Sequence, residues 1–536
     1  MSNVVSFGSA LETHDVVADA DVLVLGGGPA GAWAALTAAE RGARVVLAEK
    51  GFVGTGGATA AGNTTMIHAA PGSDEREAAI KRRSAHAFGL ADPRWIGRVI
   101  DEAYDRLNDL AEWGYAYPVD DSGSSYRGSL RGVDYLRFMR RRLRKAGVRV
   151  LDQSPALELL ASNGVVAGAA GISRASGATW KVQAGAVVVA TGGCAFLSKA
   201  LGTNGLTGDG YLLAAEAGAA FSAMEFSGQY GLAPAFSSVT KGIIYFWATF
   251  TDADGKVLDR TGDRQSVVAR NLLNGPVYAV IDQASPRLQE AMRRGQPNIF
   301  VPFDRQGIDP FTQRFPVTLR YEGLVRGVGG LVIDEHCATT VDGLYAAGDA
   351  ASRQNLVGAT SGGGGPNATW AMASGVWAGR GAADFAARLG RLHLARRTQP
   401  LGGAALRPTS ARKPEADVAE LVATVRQEML PLDRNFFRTG PRLEASLQQL
   451  HVAWRDLRTD LLASRQDVAK AREAAAMIAT ARWILASALE RRESRGINRR
   501  LDFPALDPAQ EHHLATGGLD HVWVRPGTPV RKAAAS

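Results

Sequence analysis

A chain of 536 residues is long for one hydrophobic core, so two or three domains are expected, and 46% hydrophobic with 21% charged residues excludes disorder on a large scale. No uncharged apolar run reaches about 18 residues, which excludes a transmembrane helix, and residues 1–21 lack the features of a secretory signal, so a cytoplasmic location is expected. The 61 basic against 53 acidic residues leave +8, which favours an anionic small molecule or an acidic protein partner, while two cysteines, Cys194 and Cys337, exclude a disulfide framework and a four-thiolate iron–sulfur cluster within this chain.

Residues 21–50 read as strand, tight turn, helix, strand: an apolar run at 22–25, the turn Gly26-Gly27-Gly28, an alanine-rich stretch at 30–40 and a second apolar run at 43–48. Gly26, Gly28 and Gly31 fit G-x-G-x-x-G, in which the first glycine permits the turn, the second admits a pyrophosphate and the third lets helix pack on strand. Pro29 and Ala30 open the helix, whose free N–H groups face the phosphates. Glu49, 18 residues after Gly31, stands where a carboxylate accepts hydrogen bonds from an unphosphorylated ribose, with Lys50 beside it. A lone glycine turn can also serve packing alone; here it sits in a complete βαβ pattern with its acidic partner.

The small-residue run 51–63 includes Thr55, Gly56, Gly57, Ala58 and Thr59, and can lie flat against a planar ligand or its diphosphate. Residues 74–114 read as two amphipathic helices and 134–146 as another. The basic run 137–145 has helical spacing and only Phe138 to stack on a base, so it reads as a solvated face and no nucleic-acid partner is expected. Strand-like segments at 148–151, 156–162, 165–173 and 179–183 resemble a small antiparallel insertion that rejoins the main sheet at 186–190. A second glycine turn follows there, Thr191-Gly192-Gly193, then 202–210 with Asp209 and a helix at 211–219. A third strand-to-turn pattern ends in Gly348-Asp349, where the carboxylate can accept hydrogen bonds from a ribityl chain. Open α/β sheets place ligands at such strand ends.

The segments GGGPAG, TGGATAAGN, ATGG, TNGLTGDG, GLYAAGD and ESRGINRRLDFP occur in the order seen in flavoproteins of the fumarate reductase/succinate dehydrogenase family, and the chain resembles that family, which includes L-aspartate oxidase and the adenylylsulfate reductase flavoprotein. The resemblance implies an α/β fold: a bipartite Rossmann-like FAD-binding domain (1–225 and 326–389), an inserted α+β capping domain (226–325), a linker (390–413), a C-terminal three-helix bundle (414–505) and a tail (506–536). It also implies FAD rather than NAD, with Gly26, Gly28 and Gly31 on the diphosphate, Glu49 on the ribose, Thr55 to Ala60 on the diphosphate and flavin edge, Asp209 nearby, Asp349 at the ribityl chain, and Pro29, Ala30, Lys50, Thr191, Gly192, Gly348 and Ser361 as further cofactor contacts. Family members with covalent FAD carry a histidine just before the small-residue run; here Gly51-Phe52-Val53-Gly54 stands there, so noncovalent FAD is expected.

The dicarboxylate pattern of the family fails at three places. No His-Pro-Thr triplet follows Met224-Glu225-Phe226, Ser361 stands where G-A-N-R would place a clamping arginine, and Asn498 replaces a histidine between Arg495 and Arg500. A neutral hydroxyl cannot form the bidentate charged pair. The R-G-E-G-G segment survives at most as Arg326-Gly327-Val328-Gly329-Gly330, and 241–250 is rich in aromatics where the family has charge. Tyr230, Lys241, Tyr321, Arg326 and Arg353 adjoin motifs that the resemblance places by the flavin and are the polar candidates, though the arginines can also pair with carboxylates and Tyr230 can pack in the cap. No Cys/His spacing supports a metal.

Residues 390–413 are basic, with glycine and proline, and read as a linker; apolar periodicities at 418–429, 443–461 and 475–489 predict a three-helix bundle, and 511–536 an extended arm or frayed end. The leading expectation is an FAD-dependent oxidoreductase of a small anionic substrate other than succinate or fumarate, exchanging electrons with a separate ferredoxin-like iron–sulfur protein. A self-contained oxidase resembling L-aspartate oxidase and a non-catalytic electron relay are the alternatives, and assembly into an oligomer stays open.

Overall fold

The computed structural model describes residues 15–119, 122–240, 242–259, 261–409, 417–459, 461 and 467–527. Lys241, the end of the expected linker and residues 528–536 lie outside them. The central sheet contains β1 (Val16–Leu25), β2 (Val45–Ala48), β3 (Arg149–Leu151), β4 (Ala156–Ser162), β5 (Val165–Ile172), β6 (Thr179–Val189), β7 (Leu344–Ala346) and β8 (Gln399–Pro400). Its order is β8-β4-β5-β6-β1-β2-β3, with β7 paired to β6. Strands β3, β2, β1, β6 and β7 run parallel, whereas β4, β5 and β8 add antiparallel neighbours.

Helix α1 (Pro29–Glu40) and the long helix Gly364–Leu389 cover the parallel part, and Val22 to Leu25 are buried. Successive residues of these strands are buried on both faces, which is why they read as continuous apolar runs, and the two helices pack on each other, Gly375 and Gly379 against Ala30 and Ala34. In register, Leu25 pairs with Ala48 and Val189, and Val189 pairs with Ala346. Three widely separated turns therefore leave the sheet at one edge.

The expected antiparallel insertion is not separate. β6 is one strand of 11 residues, paired with β5 at its start and with β7 at its end. A Cβ at Gly185, between the two expected segments, would lie 2.8 Å from that of Ala386 and 2.9 Å from the Asp21 carbonyl, so glycine there marks close packing.

Residues 230–321 hold an antiparallel sheet in the order Tyr230–Pro234, Phe315–Tyr321, Val277–Val280, Thr249–Thr251, flanked by helices Arg264–Leu272, Pro286–Gly295 and Pro297–Gln306. Of the aromatic stretch, Tyr245 and Phe250 enter this unit's core near Phe315, while Phe246 stays exposed beneath Arg264.

The expected C-terminal helices form at Val418–Met429, Gly440–Thr459 and Val468–Glu490. The last is buried almost all round, because it packs against the nucleotide-binding part as well as its neighbours, with Arg472 bound to Glu216 at 2.5 Å. The expected linker also packs: Gln399–Pro400 joins β4, and Arg407 reaches the buried Glu158 carboxylate at 2.7 Å. Nor is 511–527 an extended arm. Leu514–Gly517 and Trp523–Pro526 form a hairpin whose first strand extends a small sheet with Phe221–Ser222 and Gly330–Leu331. Gly518, at φ +81°, supplies the left-handed turn position.

Candidate active site

The converging strand ends open into a cleft of about 620 Å³, within the range of small-molecule and cofactor sites. Its walls include Gly26, Gly28, Pro29 and Ala30 of the first turn, and Glu49 and Lys50 after β2. The small-residue run contributes Thr55, Gly56, Gly57, Ala58 and Thr59. The second and third turns add Thr191, Gly192, Asp209, Gly348 and Asp349. Of the residues expected at the cofactor, Gly31 and Ser361 are not on the lining.

Gly26 adopts φ +104°, and a Cβ there would lie 2.4 Å from the Ala190 carbonyl oxygen. Gly31 packs on the same turn, where a Cβ would lie 1.8 Å from the Gly26 carbonyl oxygen. At Gly28, by contrast, a Cβ would meet nothing within 4 Å. Gly26 and Gly31 thus build the turn, and Gly28 leaves room in front of it. Glu49 braces the same turn: its Oε2 accepts the Gly27 N–H at 2.6 Å and its Oε1 the Gly51 N–H at 2.7 Å.

Lys50 donates to Asp209 at 2.7 Å and to Thr207 at 2.9 Å, and Glu473 of the last helix stands 3.2 Å away. Burial works against the ammonium, but Asp209 and Glu473 outweigh it and raise its pKa. Burial likewise opposes the Asp209 charge, and Lys50 overrides it, so the carboxyl titrates below its ordinary value.

Arg353 is buried and does not line the cleft. Its guanidinium pairs with Asp349 and donates to the carbonyls of Gly327 (2.7 Å), Leu324 (2.9 Å) and Val325 (3.0 Å). It therefore ties the third glycine turn to the short helix Gly323–Arg326. Arg326 does line the cleft, and its ion-pair partner among the described residues is Glu322 at 3.9 Å. Glu322 is itself buried and accepts a 2.7 Å hydrogen bond from Thr240. Sequence reading passed over Glu322 because nothing local distinguishes it; its position, four residues before Arg326, was the available signal.

Tyr230 is buried, its hydroxyl 3.2 Å from the Leu430 carbonyl and its ring edge-on to Tyr321 and Phe436. Tyr321 is buried too, and burial pushes its hydroxyl up to about 12. Neither tyrosine is on the cleft lining. Arg438 lies with them, its Nη1 donating to Asn498 and its Nη2 to Ser227. Arg495 is engaged by Glu493 and Arg500 by Asp502, so these two arginines brace the C-terminal segment. The histidine-to-asparagine change at 498 accordingly falls in a hydrogen-bonded junction.

The residues present fit FAD. Thr191 Oγ1 and both amide atoms of Asn367 are buried on the cleft wall without partners among the described residues, and the space before Gly28 is open. Such orphaned groups are costly unless a ligand satisfies them. Two glycine turns flanked by the carboxylates of Glu49 and Asp349 suit a diphosphate between two hydroxyl-bearing groups.

Comparison with known proteins points the same way. A family model described as an FAD binding domain matches residues 21–228, and one described as the fumarate reductase flavoprotein C-terminus matches 427–521. One component of the fumarate reductase (CoM/CoB) of Methanothermobacter marburgensis is 24% identical over 91% of this chain and 95% of its own. The L-aspartate oxidase of Mycobacterium tuberculosis is 28% identical over 94% and 96%. Among solved structures, E. coli quinol fumarate reductase superposes with a TM-score of 0.80 at 20% identity, covering 97% of this chain and 98% of that one. Adenylylsulfate reductase of Archaeoglobus fulgidus superposes at 0.78 and 17%, covering 98% of each. With the cleft and its glycine turns, these matches assign the chain to the fumarate reductase/succinate dehydrogenase flavoprotein family, as an FAD-dependent oxidoreductase.

Proposed function

We propose that this flavoenzyme oxidises or reduces a small anionic substrate other than succinate or fumarate, exchanging electrons with a separate ferredoxin-like iron–sulfur protein. The observation that carries the reading is Arg326: of the cations on the cleft wall, Lys50 and Arg174 are paired with carboxylates at 2.7 and 2.6 Å, whereas Arg326 stands 3.9 Å from Glu322, and position 361 holds serine. One fixed arginine suits a single anionic group better than a dicarboxylate held at both ends. In this reading residues 226–325 act as the cap, and FAD is held noncovalently, since none of the described lining residues is His, Cys or Tyr.

Bound FAD supplies the electron-transfer chemistry. Arg353 holds the carbonyls of Leu324, Val325 and Gly327, and so fixes the helix turn that presents Arg326. Arg326 orients the substrate and polarises the group that gains or loses a proton. Glu322 sets the Arg326 side chain from behind, and the Thr240 hydroxyl fixes the Glu322 carboxylate. The buried Tyr230 and Tyr321 shape the cap's inner side in this reading, and Lys241 is a further candidate from the cap.

The test is anaerobic photoreduction of the yellow protein followed by mixing with a ferredoxin or with air. Rapid ferredoxin reduction with slow oxygen consumption is expected. Fast oxygen consumption with slow ferredoxin reduction would replace the proposal with a self-contained oxidase, a second reading that the L-aspartate oxidase relatives favour.

A further inference from the structure

We infer that Trp370, Trp95 and Trp377 form a one-electron path between the cofactor cleft and the surface, through which light lets the protein reduce its flavin with electrons from thiols in solution. The inference rests on the reading that the cleft holds FAD, and it adds an activity separate from substrate turnover.

The path starts at the third glycine turn. The long helix Gly364–Leu389 supplies Ala368 and Ala371 to the cleft wall, while Trp370 is off the lining and fully buried. Its Nε1–H donates to the carbonyl of Gly348, a cleft residue, at 2.9 Å, and the Gly348 N–H donates to Ser374 Oγ on the same helix at 2.9 Å. The indole is thereby fixed against the turn that carries Asp349. Two helical turns on, Trp377 lies 6.2 Å from Trp370 between ring centroids, and Trp95 of the helix Pro93–Glu112 wedges against both, at 6.3 Å from Trp370 and 5.9 Å from Trp377. Aromatic rings at such separations are in contact. An electron passes between touching rings more readily than through saturated side chains.

The three indole N–H groups differ in a way that packing does not require. Trp95 Nε1 is buried without a partner among the described residues, a cost that a ring lacking the N–H would avoid. Trp370 donates to a neutral carbonyl. Trp377 donates to the Glu102 carboxylate at 3.0 Å, which also holds Arg380 at 2.8 Å and Arg106 at 3.2 Å. An oxidised indole is far more acidic at nitrogen than the neutral ring, and among these three Trp377 is the one that faces a carboxylate. The Arg98 guanidinium lies 5.1 Å from the Trp95 ring centre and 4.3 Å from that of Trp377, and its charge opposes an electron vacancy on either ring. Loss of the Nε1 proton to Glu102 is therefore what holds the vacancy on Trp377.

The electrons balance. Trp370 gives one to the photoexcited flavin and is refilled from Trp377, directly or through Trp95. The net change is one electron gained by the flavin and one lost by Trp377, with its proton on Glu102. A thiol in solution returns the electron and Glu102 the proton; two rounds oxidise one dithiothreitol to its cyclic disulfide.

The experiment is laser-flash spectroscopy of the FAD-loaded full chain without oxygen, following flavin emission and the transient absorption of the tryptophanyl radical. The parent should show quenched emission and a long-lived radical. W370F should lengthen the emission and lose the radical. W377F and E102Q lie beyond the cleft wall and should keep the quenched emission, because the first electron still leaves Trp370, yet lose the long-lived radical to recombination. R98Q should raise the radical yield, and W180F, at the far end of β6 from the cleft, should match the parent. Under steady blue light with dithiothreitol, the parent's flavin should be reduced faster than that of W377F. A parent without the radical overturns the path, as does a W377F or E102Q radical as abundant and long-lived as the parent's, or its loss in W180F. A protein that takes up no FAD would instead overturn the reading of the cleft, and flavin content and melting temperature, measured on every variant, separate the two failures.

Discussion

Lys50 and Asp209, 159 residues apart in sequence, meet at 2.7 Å on the cleft wall, and Glu473 of the last helix reaches the same ammonium at 3.2 Å. One side chain thus joins the end of β2, the loop 202–210 and the C-terminal helices. Binding at the cleft and docking of those helices share this contact.

Lys50→Met leaves two carboxylates facing each other without their cation. Fully buried pairs cost about 3–5 kcal/mol when broken; with each partner of the Lys50–Asp209 pair 22% exposed, roughly 2 kcal/mol is expected in denaturant unfolding, together with faster loss of flavin. Asp209→Asn in the Lys50→Met background should recover part of the loss. The pair's contribution is lost at both extremes of pH. The lowered Asp209 contributes above its unfolded value near 3.8, and the raised Lys50 contributes below its unfolded value near 10.5.

Gly28 and Gly31 should fail differently. Gly31→Ala forces a Cβ to 1.8 Å from the Gly26 carbonyl oxygen, so a lower melting temperature and loss of flavin are expected together. Gly28→Ala meets no protein atom within 4 Å, so the chain should keep its melting temperature without flavin and bind FAD more weakly. Equal destabilisation of the two flavin-free proteins would contradict the assignment of Gly28 to the ligand.

The glycine turns and their strands were legible in the sequence because each is set locally, by φ at Gly26 and by an unbroken apolar run such as 22–25. Elements whose cause lies far along the chain were not. The strand 179–189 read as two segments, and Gly185 between them is explained by Ala386, two hundred residues on; the 511–527 stretch read as an arm because its partner, Phe221–Ser222, is nearly three hundred residues away. The same limit applies to the site. Arg353 was expected to face the substrate, and its buried bonds to Asp349 and three carbonyls depend on a turn made only in the fold. Glu322 offered only its spacing from Arg326, since its other partner, Thr240, belongs to a different strand connection.

Arg326→Gln should leave FAD content unchanged and lower kcat/KM by roughly 10²–10³-fold once a substrate is identified, because it removes the cleft cation that has no close carboxylate partner among the described residues. Glu322→Gln keeps the Thr240 hydrogen bond but removes the charge behind Arg326, so a smaller drop with an altered pH profile is expected. A full effect of Glu322→Gln on folding with none on turnover would leave Glu322 a purely structural residue.

His513, at the start of the C-terminal hairpin, is buried. Burial, then the nearby Arg491 charge, holds its pKa down to about 3. Its contribution to stability is complete above the unfolded histidine value of 6.5 and is lost progressively toward about 3. Denaturant unfolding should therefore show roughly 2 kcal/mol less stability at about pH 5 than at about pH 7, and His513→Leu should flatten that slope.

The central claim, that pieces of chain distant in order make one FAD site, is tested most directly by the flavin content of the purified full-length protein. About one FAD per chain, released into solution when the protein is denatured, is the expected result, with visible absorption that changes on release. A colourless protein that takes up no FAD when the coenzyme is added would contradict it.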